Sequence, residues 1–455
     1  MVAVGILCFI LAMIAAGHSF RLADPAARMP MCVYLVSYSL TTVVGAFYFG
    51  VYGIDSVDSL GYGLATTGLL PFGNMAYWCI LFAPFVIPPY TLIALQTIAM
   101  NKHGVLQRFA RRRDDIHWLW FLILFLVLTG YCFWQLIQTD YIFSPLAWLH
   151  ADTDYVAMVT LRTDMFGSMG TVFYGLVYIC LPTFSLSALY QCVHKRTIAW
   201  RLVFALSLVV IAFLNVAIML KGLLIIFGIF IGLGFFELKQ IRLSSFCVNG
   251  GVLLVILTTL QALVVDGWQT IDSVKLIFFR MACAFPYYLS LYPDPLPHPG
   301  VDLGLHIVGV APPPRMSVDV FNIMYPAVDW VQGNTPAPAH VMAYSEAGYV
   351  YSVCCLLMIG VVIYLSSVAK RSVRGPLSFA LYVQSLVCLY YCTQISLREA
   401  MVSCYGFCWA VIAVSLLYLV NGYLNVSSGR RVPATLRTKA TNMVRQDSAM
   451  AEPKA

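Results

Sequence analysis

The sequence predicts an all-α integral membrane protein that crosses the bilayer about eleven times and carries one long polar loop late in the chain. Of its 455 residues, 61% are hydrophobic and only 10% are charged, and the mean hydropathy is +0.83. These values lie far outside the balance of a soluble domain. The apolar runs reach the length of about 20 residues that a spanning helix needs, whereas the alternating segments of a transmembrane barrel are missing.

The apolar runs divide the first half of the chain into helices. The predicted helices cover about residues 2–17, 31–52, 74–98, 117–137 and 169–190. Pro84, Pro88 and Pro89 predict a kink in the third of them. The apolar run 202–236 is too long for one span, so it predicts two short helices that turn at Lys221.

The first apolar run is expected to be retained as a helix. It has no basic residue in front of it, and Arg21 and Arg28 follow it in the segment RLADPAARMP, which is expected to be a short basic loop. A cleaved signal peptide carries its positive charge ahead of the apolar run. The run therefore predicts a first span whose amino end lies outside.

The polar stretch 265–347 interrupts the second half of the chain. Helices are predicted at about 245–264 before it and at about 348–367, 376–393 and 401–420 after it. The chain then divides into transmembrane helices (1–264), a long extracytoplasmic loop (265–347), transmembrane helices (348–426) and a basic, disordered cytoplasmic tail (427–455). With this assignment the basic loops, of which NKHGVLQRFARRRDD is the strongest, fall on one side, which is expected to be cytoplasmic.

Composition also limits the partners and sites. The net charge of +7 is explained by the basic loops that set topology, so nucleic acid is not an expected partner. The fourteen cysteines show no disulfide or zinc spacing. The loop residues His298, His306, Asp294 and Asp302 match no strong metal motif, and ordinary loop charges explain them equally well. No metal and no cofactor are therefore predicted.

Two cations stand in apolar surroundings. Lys221 either extends to the outer interface or supplies a cation for an anionic lipid headgroup. Arg280 belongs to an amphipathic segment that is predicted to lie on or dip into the outer interface. The apolar residues of this segment at helical spacing are Ile271, Val274, Phe278, Met281 and Phe285. Arg280 either pairs with a carboxylate such as Asp272 or binds an anion in a bidentate manner, with two hydrogen bonds from its guanidinium.

His340 is the candidate proton acceptor shortly before the helix that follows the long loop. A lone histidine is more often structural, but a neutral imidazole near the membrane surface can take a proton from a sugar hydroxyl near pH 7. If residues 340–348 are helical, Tyr344 shares the face of His340, whereas Glu346 does not. A pairing of Glu346 with His340 is therefore not predicted.

Four further charged residues complete the candidates. Arg398 is expected in a short outer turn, and Arg315 in the long loop is better explained as an ordinary loop charge than as a binding residue. Asp55 and Asp58 form a DxxD pattern in the first outer loop, where a carboxylate can act as a general base. This pair is a competing site.

The sequence resembles the bacterial O-antigen and oligosaccharide repeat-unit polymerase family (Wzy-type) and, more distantly, the related O-antigen ligases. The likeness depends on the number of helices, on the long late loop, on Arg280 followed by PYY, and on PAHVMAYSEAGYVYS at the end of that loop. In the last segment His340, Glu346 and Gly348 stand at the family's polar, acidic and glycine positions. The sequence differs from the ligases at Val341, where they carry Asn, Ser or Gln, and it has Lys221 where many relatives carry Arg.

The resemblance implies a GT-C-like fold in the bacterial inner membrane, with the active site facing the periplasm. It implies that Arg280, with Lys221, Arg398 and Arg315, binds the diphosphate of an undecaprenyl-diphosphate-linked oligosaccharide, while His340 activates the acceptor hydroxyl. Glu346 and Tyr344 would support these groups. Donor and acceptor are then both lipid-linked repeat units, a chain-length regulator is an expected partner, and no nucleotide or metal is required.

Three other functions remain open from the sequence. A ligase would transfer the glycan to a different acceptor, and a glycosyltransferase with a monophosphate donor would use Asp55 or Asp58 as its base. A flippase for lipid-linked oligosaccharides would be expected to place several charges inside its helices, whereas here they gather in the loops. A purely structural membrane protein also stays open, but the free-energy cost of keeping Lys221 and Arg280 in apolar surroundings counts against it.

Overall fold

The computed structural model describes residues 2–52, 75–100, 116–139, 155–218, 221–242, 282–301, 316–325 and 333–427 apart from 404, together with isolated helical positions between 244 and 255. All regular structure in these ranges is helical, which confirms the predicted all-α class. Within them, seven helices are long and apolar enough to cross a membrane, and three more are apolar but shorter. The chain is therefore a polytopic membrane protein.

The described α-helices fall into two groups along the chain. Before the long polar stretch they are α1 (Val2–Leu22), α2 (Pro25–Tyr38), α3 (Val44–Tyr52), α4 (Met75–Phe82), α5 (Ile87–Met100), α6 (Trp118–Gln138), α7 (Tyr155–Gly175), α8 (Leu181–Lys195), α9 (Ile198–Ala217) and α10 (Lys221–Glu237). From that stretch onward they are α11 (Met316–Met324), α12 (Ala339–Arg371), α13 (Pro376–Tyr391), α14 (Leu397–Val402) and α15 (Cys408–Ser427).

The predicted basic loop after the first helix is wrong. The chain turns within Ala23 and Asp24, and α2 begins at Pro25. The Asp24 carboxylate accepts a hydrogen bond from the Ala26 N–H at 2.8 Å, and proline is favoured in the first turn of a helix because it has no N–H to satisfy there. A capped start therefore turns most of the expected loop into helix.

Two other local predictions are confirmed. The proline-rich third span is broken by the 3₁₀ turn Ala83–Phe85, which contains Pro84 and separates α4 from α5. The long apolar run forms the two helices α9 and α10, and α10 begins at Lys221. Proline removes a helical hydrogen bond, and a hydrophobic stretch of this length exceeds the bilayer thickness, so both features have simple causes.

The core surrounds the span Gly167–Lys195, which contains α8. In the most apolar 18 residues of this span, 94% are buried inside the protein, compared with 22% in the span Ala3–Leu22 of α1. Large apolar side chains on α1 and α9, such as Leu7, Leu202 and Val209, are more than half exposed, as expected for residues that face lipid. The bundle therefore has a central helix and a lipid-facing periphery.

The two ends of the helix bundle differ in their charged residues. Lys370 Nζ lies 2.8 Å from Glu237 Oε1, and Arg371 Nη2 lies 2.9 Å from Asp24 Oδ2, so the ends of α1, α10 and α12 meet. We call this region the basic end. Its described basic residues include Lys195, Arg196, Lys239, Arg242, Lys370, Arg371 and Arg374. The opposite end, which we call the Glu346 end, carries Asp294, Asp319, Glu346, Arg398 and Glu399.

Candidate functional site

The site is centred on a break near the start of α12. This helix begins at Ala339, well before the predicted start at 348, and its first part is separated from the main span at Ala347 (φ −152°, ψ 24°) and Gly348 (φ 80°, ψ −166°). The backbone angles of Gly348 lie in a region that is essentially restricted to glycine. Glycine at this position therefore allows a short helix over 339–346 to stand in front of the membrane span.

A proline-rich segment over 292–300 packs against this break. His298 Nδ1 lies 2.9 Å from the Ser345 carbonyl oxygen, and the Gly300 N–H donates to the Glu346 carbonyl at 3.0 Å. In an unbroken helix these carbonyls would accept from N–H groups four residues ahead. The segment therefore supplies donors where the helix is interrupted.

The contact of His298 also defines its tautomer. A carbonyl oxygen only accepts hydrogen bonds, so Nδ1 carries the proton and Nε2 of the neutral ring is an acceptor. Nε2 lies 3.6 Å from the point that a Cβ on residue 348 would occupy. The ring lies between Tyr292 (6.1 Å, stacked) and Tyr344 (5.8 Å, edge-on), and Tyr344 in turn donates to the Tyr292 carbonyl at 2.9 Å. His298 is thus held in a defined orientation and is partly exposed.

Glu346 and Arg398 form a charge pair at the same break, in which Glu346 is buried and Arg398 is partly buried. Arg398 Nη1 lies 3.7 Å from Glu346 Oε1, and the two side chains are 16% and 4% exposed. Arg398 is positioned by the start of α14, where the Ser396 hydroxyl accepts from the Glu399 N–H at 3.2 Å and the Glu399 carboxylate accepts from the Ser396 N–H at 3.1 Å. The structure therefore joins two residues that the sequence analysis treated separately.

His340 lies deeper in the bundle. It is fully buried, and its ring centre is 5.5 Å from that of Tyr38 in an edge-on arrangement. The Ala339 N–H beside it donates to the Cys392 carbonyl at 3.0 Å, which ties the first turn of α12 to the end of α13. Its side chain has no exposed surface, and a catalytic role for His340 stays a prediction.

The amphipathic segment predicted at the interface is buried where the structure describes it. Residues 282–291 are helical, and the side chains of 282–288 are all buried among aromatic residues of α3 and α4. The Tyr288 hydroxyl donates to the Thr335 carbonyl at 2.9 Å. Burial raises the pKa of the nearby Tyr292 to about 12, with a smaller contribution from the negative charge of Asp319. This part of the predicted loop is thus a buried element of the bundle.

Most of the remaining predicted site residues fall outside the part of the chain that the structure describes. Arg280, Arg315, Asp55 and Asp58, together with Asp272, His306 and Asp302, lie outside the described residues. Of Lys221 the structure describes only the backbone, at the first position of α10. Among the described residues, no cluster of three or more His, Cys, Asp or Glu side chains is suited to hold a metal ion.

Sequence reasoning missed two parts of the site. The spacing Ser396-x-x-Glu399 is a capping-box signal that predicts the start of α14, where an outer turn was expected. His298 was considered only for a metal site. No local pattern marks its contact with Ser345, because 47 residues separate the two in sequence.

The arrangement combines two chemical capacities. A guanidinium at the Glu346 end can bind an anion with two parallel hydrogen bonds, and the imidazole of His298 can accept a proton through Nε2. Both groups contact the broken start of α12. A search of protein-family models, curated proteins and solved structures finds no match to this chain.

Proposed function

We propose that this protein is a membrane glycosyltransferase that polymerises oligosaccharide repeat units carried on a polyprenyl diphosphate. The observation that carries the proposal is the Glu346–Arg398 pair at the break of α12. Removing the Glu346 carboxylate and most of the Arg398 guanidinium from water costs several kcal/mol of desolvation, and a protein that needed only packing would gain as much from apolar side chains. The pair therefore favours a site that binds a charged substrate.

The proposed orientation follows from the charges at the two ends. Basic residues are retained on the cytoplasmic side of bacterial membrane proteins, so the basic end is assigned to the cytoplasm. The Glu346 end then faces the periplasm, where the inner membrane presents lipid-linked repeat units for polymerisation. The positions of Glu346 and Arg398 opposite the basic end support this assignment.

The proposed reaction assigns separate roles to the cations and to the imidazole. Arg398, joined by Arg280, Arg315 and Lys221, binds the diphosphate of the donor and neutralises the charge that develops on the leaving oxygen. His298 takes the proton from the acceptor hydroxyl while its Nδ1–H stays bonded to Ser345.

The bonds and charges of this step balance without a nucleotide or a metal. The bond between the anomeric carbon and the diphosphate oxygen breaks, and its electron pair leaves with the diphosphate. A new bond forms between the anomeric carbon and the acceptor oxygen. Glu346 holds the Arg398 guanidinium in place before the donor binds.

The distribution of charge favours an enzyme over a flippase. In the described spans the charged residues lie near the ends of the helices, as for Lys195, Glu237 and Lys370. A transport path for a charged glycolipid would require polar groups along the length of the helices. A ligase would share the proposed donor chemistry and would differ only in its acceptor, so the experiment has to separate the two.

The proposal is tested in a strain that lacks this gene and is complemented with wild type, Arg398→Ala or the control Arg374→Ala. Arg374 is exposed at the basic end and lies outside the site. Surface polysaccharide is resolved on gels, and membrane insertion is checked by immunoblot. We expect single repeat units from the null strain and from Arg398→Ala, and a full ladder from wild type and control.

Two other outcomes would overturn the polymerase assignment. Free lipid-linked polymer without transfer to its final acceptor in the null strain would indicate a ligase. An unchanged ladder in the null strain would refute both enzymes and favour transport or a structural role. His298→Ala provides a separate test of the proton acceptor, because it removes the imidazole and leaves the charge pair intact.

A further inference from the structure

A groove at the basic end lies between two pairs of helix ends. The carboxyl end of α1 and the start of α2 form one wall, and the carboxyl ends of α10 and α12 form the other. The apolar side chains Phe20, Met29 and Phe236 line the groove together with basic side chains. Because helix ends lie at the level of the lipid headgroups, the groove adjoins both hydrocarbon and water.

The groove carries an excess of positive charge. Its lining includes four basic residues and one acidic residue, Glu237, so its net charge is +3. Glu237 accepts hydrogen bonds from Lys370 at 2.8 Å and from the Tyr382 hydroxyl at 2.9 Å, so its carboxylate is already bound. Within the described parts of the chain, the other basic residues, Arg28, Lys239 and Arg242, form no ion pair.

Lys239 is held in the groove by an unusual backbone conformation. It lies in the turn after α10 with a left-handed φ of 56°, where the Lys239 N–H donates to the Phe236 carbonyl at 2.8 Å and the Gln240 N–H donates to the Phe235 carbonyl at 2.9 Å. This pair of bonds is a Schellman motif, which normally places glycine at the left-handed position. The presence of a lysine there adds a cation to the groove despite the backbone strain.

We propose that this groove binds the phosphate headgroup of an anionic phospholipid from the leaflet at the basic end. Arg28, Lys239 and Arg242 would contact the phosphate, and the acyl chains would lie along Phe20 and Phe236. Positive charge beside an apolar wall at headgroup depth fits a lipid better than a soluble anion, which has no apolar part to bury. This lipid site stands independently of the proposed glycosyltransferase activity.

The test uses the purified full-length protein in detergent and native mass spectrometry with added phosphatidylglycerol or phosphatidylcholine. The variant Arg28→Gln/Lys239→Gly/Arg242→Gln removes the three cations, and glycine relieves the left-handed strain at 239. The control Arg196→Gly/Arg201→Gln/Arg374→Gln removes equal charge at the same end and also replaces a left-handed residue, since Arg196 has a φ of 53°. Arg201 and Arg374 are exposed and do not line the groove.

We expect wild type and control to bind phosphatidylglycerol in preference to phosphatidylcholine. The groove variant should lose affinity for phosphatidylglycerol by about a hundredfold, since each basic contact contributes a factor of about five. Equal retention of both lipids by wild type would overturn the proposal, even if the groove variant does not fold. Equal protection of wild type against thermal unfolding by inorganic phosphate and by phosphatidylglycerol would also overturn it, because the site would then recognise a soluble anion.

Discussion

The charge pair at the break of α12 gives a quantitative prediction. At 3.7 Å the attraction between Glu346 and Arg398 is about 4 kcal/mol with an effective dielectric constant of 20, before desolvation is subtracted. Replacing Arg398 by Met leaves a carboxylate that is only 4% exposed. We expect the free energy of unfolding to fall by about 3 kcal/mol, at the low end for broken buried pairs, because Arg398 keeps some contact with water.

A double-mutant cycle separates the interaction energy between Glu346 and Arg398 from the contributions of their other contacts. Glu346→Gln should cost about 1 kcal/mol because it removes the ion pair but leaves a neutral amide, while the partly exposed Arg398 guanidinium keeps contact with water. The double variant Glu346→Gln/Arg398→Met should lose about 2 kcal/mol less than the sum of the single variants. Unfolding of the four proteins is followed in mixed micelles as SDS is added. If the two single effects add within about 0.5 kcal/mol, the pair is not energetically coupled and the reasoning is refuted.

Three further predictions concern the backbone, the packing and the pH dependence. Gly348→Ala should lower the free energy of unfolding by about 1–3 kcal/mol, because residue 348 has a φ of 80° that alanine rarely adopts. The control Gly130→Ala should cause no loss, because a Cβ there meets nothing within 4 Å. An equal decrease of the melting temperature in the two variants would contradict this prediction. Gly360→Ala should lower the free energy of unfolding by about 1–3 kcal/mol, because its Cβ would lie 2.6 Å from the Thr91 Cβ. A crystal structure of this variant in which α5 and α12 have not moved apart would contradict this prediction. Unfolded tyrosine ionises near pH 10 and Tyr292 at about 12, so the stability that this burial contributes is lost as pH rises through that range. From pH 9 to 11.5, Tyr292→Phe should lose about 2 kcal/mol less stability than wild type in denaturant titrations, and an identical loss would count against the shift.

The membrane spans were the most predictable part of the fold. The turn before Lys221 and the break at Pro84 follow from the length of an apolar run and from the chemistry of proline, which are local properties. The short loop predicted around Asp24 was wrong because polar residues and proline are equally typical of a loop and of the start of a helix. Asp24 and Pro25 instead cap and start a helix.

The candidate site was only partly predictable. Glu346 and Gly348 were selected from the end of the long loop, and the structure places both at the break of α12. Sequence alone did not connect Glu346 with Arg398, which is 52 positions away, because such pairs depend on how helices pack. The burial of residues 282–288 was missed for the same reason, since an amphipathic segment is equally compatible with an interface and with a groove in the bundle.

The sequence by itself determined that this protein lies in a membrane, that it is helical, and that most of the basic residues which the structure describes gather at one end. These properties depend on hydrophobicity and charge, which every residue carries wherever the chain places it. Only the tertiary structure decided that His298 holds the interrupted start of α12, that His340 is buried, and that Arg398 meets Glu346. Each of these outcomes requires side chains from distant segments to share one small volume, and no local pattern records that proximity.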